Sequence, residues 1–409
     1  MGRVRRPVPA VLVLALALSC AVDVRAEDAP PAPTPLPAPR LVGPRSGPDR
    51  KKALQRYGGN EATEKAVAAG LDWLARHQDE GGGWDADGFD ARCEKDAAAC
   101  TGRGKGQHGE DVPCPFDDAI SGLALLAFLG DGHLPDAADD PLAPVVKKAV
   151  ARLEGAGDTW ALPIVTEALA ELEAMERKGL RREQVRRNVE SLVGARAEDG
   201  SWGYFTGYGR GSDVPYAALV VSALVAARDA GVDSPADVGA KVDAWLGTLE
   251  EKKGKLGYVK EGRSFGYTPT TSNAHCAVAM RELLGAGLDG ARHRAHLALV
   301  AGELPEWKIS FRDVEVPGRG KVPVQIGNLS IYQWWYGTVG EFQHGGDGWA
   351  VWFGAVKTAL LGHQQKTGCA RGSWDPLGTY ERQTGGRVFA TALGVLMLEQ
   401  PYRHRRLRG

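Results

Sequence analysis

The chain has 409 residues, and 50 lysines and arginines balance 51 aspartates and glutamates, so the formal net charge is −1. This balance lacks the basic excess of a nucleic-acid-binding protein, and no nucleic-acid partner is expected. The length exceeds what one simple hydrophobic core usually serves, which favours a repeat or a ring.

The N-terminus has the pattern of an export signal. Arg3, Arg5 and Arg6 precede an apolar run over 8–22 that is too short to span a bilayer, and small residues follow at 24–26. We predict a signal peptide over 1–26 and an exported protein, periplasmic or extracellular. The alternative is a lipoprotein lipidated at Cys20, and only then is attachment to a membrane expected.

Proline-rich residues 27–50 predict an extended linker. The folded domain is predicted to occupy 51–403, followed by a short, solvated basic tail over 404–409. No oligomeric state follows from these segments.

One unit recurs along the folded part: a helix with a charged face, a turn usually rich in glycine, and then an aromatic residue. Its aromatic ends are Trp84, Trp160, Trp202, Tyr258, Trp307 and Trp374. Between these ends lie nearly apolar helical segments at 117–129, 162–177, 215–229, 272–284, 328–342 and 388–399. Helices that are apolar all round are buried, and helices with a charged face lie outside. The alternation predicts an all-α fold, an α/α toroid of six helical hairpins in two concentric rings, with an open solenoid as the alternative.

A glutamine and a tryptophan mark the first and last of these turns, Gln78 with Trp84 and Gln365 with Trp374. The end of a helix leaves carbonyl groups without partners, as the start of the next leaves N–H groups. A glutamine amide can serve both, and an indole can cover it. We therefore expect Gln78 and Gln365 each to bridge a helix end beneath its own tryptophan.

The stretches "GLDWLARHQDEGGGW" and "LLGHQQKTGCARGSW" resemble the QW repeats of squalene–hopene cyclases and related terpenoid cyclases. The β-subunits of protein prenyltransferases share that toroid. The stretch "YQWWYGTVGEFQHGGDGWAVW" and the residues after it resemble exported bacterial proteins named for prenyltransferase and squalene-oxidase repeats. The resemblance covers most of 60–403 and implies the toroid, but a fold does not define a reaction.

Neither sequence motif expected for chemistry in this fold is present. The resemblance to cyclases implies an Asp-x-Asp-Asp acid motif, and the nearest match is Asp117-Asp118 at the start of an inner helix. Two adjacent carboxylates can raise one pKa and make an acid. The alternative is that Asp117 is an N-cap and Asp118 interacts with the helix dipole. The zinc motif of prenyltransferases needs Asp two residues before Cys, and here Ala274 precedes Cys276.

Three cysteines, Cys93, Cys100 and Cys114, cluster in one long loop with His108. One histidine and three cysteines are a donor set that zinc takes, so a zinc site is one alternative. In an exported protein a disulfide is favoured, and Cys93–Cys100 would close a short loop. We therefore predict this disulfide, and no metal and no cofactor.

Aromatic residues form the second candidate site. Tyr332, Trp335 and Tyr336 lie on one inner helix, and Asp213, Tyr216 and His275 are further candidates for a cavity wall. Such a wall suits a carbocation, an apolar ligand or a sugar ring, and packing between the rings is the alternative. Before this helix, polar and apolar residues alternate around 317–320, which predicts an inserted β-hairpin that could serve as a lid.

From the sequence, the favoured function is an exported, non-catalytic binding or scaffold protein with an aromatic-lined cavity for an apolar, isoprenoid or glycan ligand. The alternative is an enzyme that uses Asp117 and Asp118. It would be a terpenoid-cyclase-like isomerase or lyase, or an enzyme acting on a glycan.

Overall fold

The computed structural model describes residues 40–95, 98–105, 114–156, 160–203, 212–250, 255–257, 271–316, 320–326 and 329–408. The predicted signal peptide, Cys20, His108 and Tyr258 lie outside the described residues, as does the linker as far as residue 39.

The described residues form fourteen α-helices and one pair of strands. In chain order these are α1 (Gly47–Arg56), α2 (Glu61–Arg76), α3 (Asp117–Asp131), α4 (Ala143–Leu153), α5 (Leu162–Glu176), α6 (Arg182–Gly194), α7 (Val214–Asp229), α8 (Val238–Thr248), α9 (Thr271–Leu284), α10 (Ala291–Gly302), β1 (Ser310–Val316), β2 (Gly320–Ile326), α11 (Ile331–His344), α12 (Gly346–His363), α13 (Thr379–Thr384) and α14 (Gly386–Arg403).

The helices form two concentric rings. The inner ring consists of α3, α5, α7, α9, α11 and α14, and each packs on the next, with α14 closing the ring against α3. The outer ring consists of α2, α4, α6, α8, α10 and α12. The predicted α/α toroid of six hairpins is therefore confirmed, and the contact between α14 and α3 makes it closed rather than an open solenoid.

Apolar patterning explains which helices lie inside. The inner helix α7 is apolar on all sides and is buried from Val214 to Ala227. The outer helix α6 buries Val185, Val189 and Leu192, a single stripe at spacings of four and three residues, and exposes its charged face.

Three tryptophans form hydrogen bonds with carbonyl groups near the C-terminal ends of outer helices. The indole N–H of Trp84 donates to the carbonyl of Leu74 at 2.8 Å, and that of Trp374 donates to Leu360 at 2.8 Å. Trp202 makes the same contact with Leu192 at 2.7 Å. Each indole thus supplies a partner to a carbonyl near the end of a helix, a bond that was predicted for the glutamine and not for the tryptophan.

Glycine allows each of these turns to pack on the neighbouring outer helix. Gly82 and Gly372 have φ of 89° and 91°. A Cβ at Gly82 would lie 2.3 Å from the carbonyl oxygen of Lys148 in α4, and one at Gly372 would lie 2.0 Å from that of Ala69 in α2. A larger residue at either position would separate two adjacent hairpins.

The glutamines act differently from the prediction. Gln78 does not bridge a carbonyl and an N–H, because its amide donates twice, to Gly82 at 3.0 Å and to Val145 in α4 at 2.9 Å. At the last turn Gln364 takes this place, and Gln365 donates to Asp375 instead. The prediction for Gln365 was wrong by one residue, because α12 ends at His363 and the buried side of the turn falls to Gln364.

The described part begins packing before residue 51. Leu41 and Arg45 are buried, α1 begins at Gly47, and Val42 pairs with His404 in an antiparallel bridge. The segment over 404–408 is not a solvated tail, because His404 is buried and Arg406 donates to the carbonyl of Phe342 at 2.9 Å.

The inserted β-hairpin is present. Strands β1 and β2 pair antiparallel with Val314 opposite Val322, and they precede α11. The turn over 317–319 lies outside the described residues. Within the described ranges, no helix has both the length and the apolar character required to cross a membrane.

Candidate functional site at the inner-helix N-terminal ends

The inner helices all point the same way, so their N-terminal ends meet at one end of the ring. The Ser272 hydroxyl at the start of α9 donates to Gln333 at the start of α11 at 2.8 Å. Phe116 precedes α3 and packs on Trp160, which precedes α5, with ring centres 4.5 Å apart. The C-terminal ends gather around Arg45 at the other end of the ring, where it donates to the carbonyl of Leu129.

Tyrosines reach across the ring at the N-terminal end. The Tyr332 hydroxyl donates to that of Tyr336 at 3.3 Å, and Tyr336 donates to the carbonyl of Pro215 in α7 at 3.4 Å. These bonds therefore join α11 to α7, two inner helices that have α9 between them in the ring. The ring of Trp335 lies 4.9 Å from that of Tyr336, and Tyr380 lies 4.9 Å from Tyr332. The residues predicted to form an aromatic wall, Tyr332, Trp335 and Tyr336, thus pack together and are buried.

A carboxyl group, Glu167, lies close enough to Tyr336 to act on it electrostatically. It is on the inner helix α5, and its side chain is buried. Burial raises the pKa of Tyr336, and the nearby Cys276 thiol and Glu167 carboxyl raise it further. Burial also raises the pKa of Glu167 to about 7, although the charge of Arg403 opposes this. Its Oε2 has no hydrogen-bond partner among the described residues. Glu167 can therefore hold a proton near neutral pH and has an oxygen free to present it.

Charged groups fill the ring below Glu167. Arg403 donates to Glu167 at 3.0 Å and to Glu171 at 2.8 Å, and Glu171 is also paired with Arg45. Burial alone would raise the pKa of Glu171, but the charges of Arg403 and Arg45 outweigh it and lower the pKa. Two adjacent glutamates on one helix therefore have opposite tendencies: one favours the neutral form and the other the ionised form.

Asp117 and Asp118 do not act as a pair. Asp118 forms an ion pair at 2.5 Å with Arg152 on the outer helix α4. Asp117 is not the N-cap of α3, because Phe116 holds that position, and the Asp117 carboxylate accepts the N–H of Ala86 at 2.9 Å. The structure thus directs the two side chains to different neighbours.

The carboxylate neighbours of Asp117 are Asp85 and Asp87. Ligand oxygens of the three residues lie within 4.8 Å of one another. Burial raises the pKa of Asp117 to about 6, and the charges of Asp85, Asp87 and Asp118 add to this, against the hydrogen bond from Ala86. Asp117 is therefore a second proton-holding group at this end of the ring.

The other predicted wall residues have local roles. Asp213 is the N-cap of α7 and accepts the N–H of Tyr216 at 2.8 Å, and Tyr216 is buried. His275 packs on Trp352 of the outer helix α12, with ring centres 5.6 Å apart, so it faces the space between the rings. Burial lowers its pKa to about 4. Its neighbour Cys276 is buried and lies close enough to Tyr336 to raise the pKa of that tyrosine.

The predicted Cys93–Cys100 disulfide is not formed in the structure, where both cysteines are free. The two sulfur atoms instead face the imidazole of His77, together with Cys369 from the last turn. Cys114 is separate, because its thiol donates to the carbonyl of Thr384 at 2.9 Å. His77, Cys93, Cys100 and Cys369 are close enough together to hold a metal ion.

Sequence reasoning missed Glu167, although its signal was visible. Helix α5 was treated as apolar, yet it carries Glu167, Glu171 and Glu173. Ionisable residues are rarely buried without a partner, so several in an inner helix indicate charges within the ring. Arg403 on α14 carries the same signal.

No protein-family model and no curated protein matches the chain. Solved structures do. The type II terpene cyclase MstE from Scytonema is 12% identical with a TM-score of 0.51, over 83% of this chain and 97% of that one. The GH76A α-1,6-mannanase from Salegentibacter sp. HEL1_6 is 10% identical with a TM-score of 0.52, over 83% and 98%. An inactive variant of that mannanase, in complex with α-1,6-mannotetrose, is 10% identical with a TM-score of 0.53, over 84% and 99%. At these identities the likeness is one of fold, and it places the chain among the α/α toroids.

Proposed function

We propose that this toroid is an enzyme that binds an apolar, alkene-containing ligand against Tyr332, Trp335 and Tyr336 and protonates it with Glu167. The observation that carries the proposal is Glu167, a buried carboxyl with a raised pKa and an Oε2 atom without a partner among the described residues, close enough to Tyr336 to act on it electrostatically. A protonated acid can start a cyclisation, and aromatic faces stabilise the cation that results.

This proposal replaces the non-catalytic function favoured from the sequence. That expectation depended on the missing Asp-x-Asp-Asp motif, and Glu167 offers an acid on a different inner helix. A type II terpene cyclase variant with the same fold, in complex with merosterolic acid A as product, has a TM-score of 0.51 at 10% identity, so the ring architecture is compatible with such a ligand. We propose further that the chain is related to prenyltransferase and squalene-oxidase repeat proteins. We also propose that it is exported.

A second candidate is an enzyme that acts on a glycan through Asp117. Hydrolysis of a glycoside needs one carboxyl group with a raised pKa and a second carboxylate nearby. Asp117 has a raised pKa beside Asp85 and Asp87. The mannanase whose inactive variants carry replacements at two consecutive aspartates has a toroid of this kind.

Activity assays on acid variants distinguish the two. The purified chain would be incubated with squalene, with geranylgeranylated aromatic compounds and with α-1,6-linked manno-oligosaccharides. We expect a cyclised product from an isoprenoid, and we expect Glu167→Gln to lower its rate on the order of 10²–10⁴-fold. Asp117→Asn should leave that rate unchanged.

The matched control is Glu399→Gln. Glu399 is also a buried carboxyl whose pKa is raised well above its ordinary value by burial; it lies beside Gly130 of α3 and, like Glu167, is close to the charge of Arg403. Equal losses in Glu399→Gln and Glu167→Gln would assign the effect to folding and contradict the proposal. Hydrolysis of the oligosaccharide that is lost in Asp117→Asn would establish the second candidate instead.

A further inference from the structure

Four side chains from distant parts of the chain meet at the seam between the first and last hairpins. His77 follows α2, Cys93 follows a 3₁₀ helix at Phe89–Arg92, and Cys100 lies in the loop beyond it. Cys369 lies in the turn after α12, 292 residues from His77. His77, Cys100 and Cys369 are buried, and Cys93 is partly buried.

The distances from His77 to the three sulfur atoms are close to those of a tetrahedral metal site, and the four ligand atoms all lie within 4.8 Å of one another. The Nε2 atom of His77 lies 3.7 Å from Cys93 Sγ, 3.7 Å from Cys100 Sγ and 3.5 Å from Cys369 Sγ. With Zn–S of about 2.3 Å and Zn–N of about 2.0–2.1 Å, a tetrahedron places sulfur and nitrogen about 3.5–3.6 Å apart. A disulfide would need sulfur atoms at about 2.0 Å and would involve neither His77 nor Cys369.

The surrounding groups orient these ligands. The Nδ1 atom of His77 lies 2.8 Å from the carbonyl of Trp73, so it can donate there and leave the Nε2 lone pair directed at the sulfur atoms. The N–H of Cys100 donates to Cys93 Sγ at 3.1 Å, and the N–H of Glu94 donates to Cys369 Sγ at 3.4 Å. Donors of this kind stabilise thiolates.

The ring of Trp73 stacks on that of His77 with centres 4.2 Å apart, which limits access of water to the imidazole. Positive charge lies close by, because Arg76 donates to the carbonyl of Cys369 at 3.1 Å. Three thiolates and one neutral imidazole around a divalent cation carry one net negative charge, which this guanidinium offsets.

We propose that His77, Cys93, Cys100 and Cys369 bind one zinc ion, which fastens the first hairpin of the ring to the last. Four protein ligands leave no open coordination position, so the site is structural and not catalytic. A set of three sulfur atoms and one nitrogen in tetrahedral geometry selects zinc over magnesium or calcium. The site is separate from the aromatic wall and does not depend on the proposed function.

Metal analysis of the full chain, expressed with added zinc and purified without chelator, tests the site. We expect one zinc ion per chain in the wild type and its loss in Cys100→Ser and Cys369→Ser. Cys114→Ser and Cys276→Ala are matched controls, because both replace buried cysteines outside the cluster, and both should keep the zinc. Absence of zinc from the wild type, stoichiometric iron or copper in its place, or zinc retained in Cys369→Ser would overturn the proposal.

A measurement on the wild type guards against variants that fail to fold. Alkylation followed by mass spectrometry should find Cys93, Cys100 and Cys369 protected, and a chelator should expose all three together while Cys114 does not change. Exchange with Co²⁺ should give the visible absorption of tetrahedral cobalt bound by thiolates. A Cys93–Cys100 disulfide in non-reduced peptides, or no effect of the chelator on the three cysteines, would contradict the site.

Discussion

Gln364, at the end of the last outer helix, donates to the carbonyl of Ala66 in the first outer helix at 2.8 Å, and this bond joins the two ends of the ring. Its second bond, to Gly372 at 2.8 Å, fixes the turn that carries Trp374. Gln78 makes the same pair of bonds between the first hairpin and α4. The same pair of glutamine hydrogen bonds therefore joins two neighbouring hairpins at Gln78 and closes the ring at Gln364.

Replacing Gln364 should loosen the ring where it closes. Gln364→Ala removes two buried hydrogen bonds, and we expect the free energy of unfolding to fall by about 1–3 kcal/mol. Gln365→Ala is the matched control, because its single bond to Asp375 lies in a partly exposed position, and it should cost about 1 kcal/mol or less. Urea denaturation monitored by circular dichroism measures both. Equal losses would show that Gln364 has no special part in closure.

The indole N–H of Trp374 should contribute to stability beyond the packing of its ring. Trp374→Phe leaves the carbonyl of Leu360 without this donor, whereas Trp335→Phe removes an indole N–H that has no hydrogen-bond partner among the described residues. Both replacements shrink a buried side chain, so their difference reports the hydrogen bond. We expect Trp374→Phe to be less stable than Trp335→Phe by about 1 kcal/mol, measured by denaturant unfolding. The opposite order would contradict this role.

Glu167 should make stability depend on pH. Burial raises its pKa to about 7 in the folded state from an ordinary value of 4.5, so the folded protein binds more protons than the unfolded chain between these values. The contribution of Glu167 to stability is therefore complete below pH 4.5 and is lost as the pH rises through 7. Glu167→Gln removes this loss, and between pH 5 and pH 7.5 it should gain about 1–3 kcal/mol relative to the wild type.

The comparison with wild type separates Glu167 from other titrating groups. Burial lowers the pKa of His275 to about 4, so its contribution is present above pH 6.5 and is lost as the pH falls toward 4, in both proteins alike. The control is Glu61→Gln on the exposed surface of α2, whose stability should run parallel to that of the wild type. A Glu167→Gln curve parallel to wild type across this range would show that Glu167 titrates as in the unfolded chain.

Arg45 should hold the N-terminal segment in the ring. It is buried, is paired with Glu171 and donates to the carbonyl of Leu129 at 3.0 Å. Removing one partner of a buried ion pair lowers the free energy of unfolding by about 3–5 kcal/mol. The loss in Arg45→Met should lie toward the lower end of this range, because Glu171 remains paired with Arg403. The exposed Arg405→Met should change stability by about 0.5 kcal/mol or less.

Hydrogen exchange provides a local measurement of the same change. The N–H of Val42 donates to Asp229 at 2.7 Å, and that of Gly43 donates to the carbonyl of Arg403 at 2.8 Å. Both amides should exchange faster in Arg45→Met than in the wild type, and the increase should be larger than for the amides of the outer helix α6. Unchanged protection at Val42 would mean that the segment is held without Arg45.

The toroid could be predicted because its cause is local and repeated. Outer helices such as α6, which carry one apolar stripe, alternate with largely apolar inner helices such as α7, and this pattern needs no long-range information. The choice between Gln364 and Gln365 could not be made this way. It depends on where α12 ends, and helix ends are the least certain feature of a sequence pattern.

The candidate sites depended on long-range placement. Asp117 was identified, but its neighbours Asp85 and Asp87 come from the preceding turn rather than from Asp118. Cys93 and Cys100 were identified as a pair, yet Cys369 reaches them only because the ring closes. Closure was predicted, but the register in which the first and last hairpins meet was not available from the sequence, and that register decides which side chains share the seam.

The bridge between Val42 and His404 places the first and last described segments side by side, and Arg405 also donates its N–H to the carbonyl of Leu41 at 2.7 Å. A ring built this way can be opened at another place. A circular permutant of residues 40–408, with the old ends joined by a short glycine linker and new ends at the exposed Gly155, should rebuild the same circle from a different starting hairpin. In such a protein the Gln364–Ala66 contact would join hairpins that are consecutive in the chain. The order in which the hairpins follow one another would change, while every side chain of the ring stays the same.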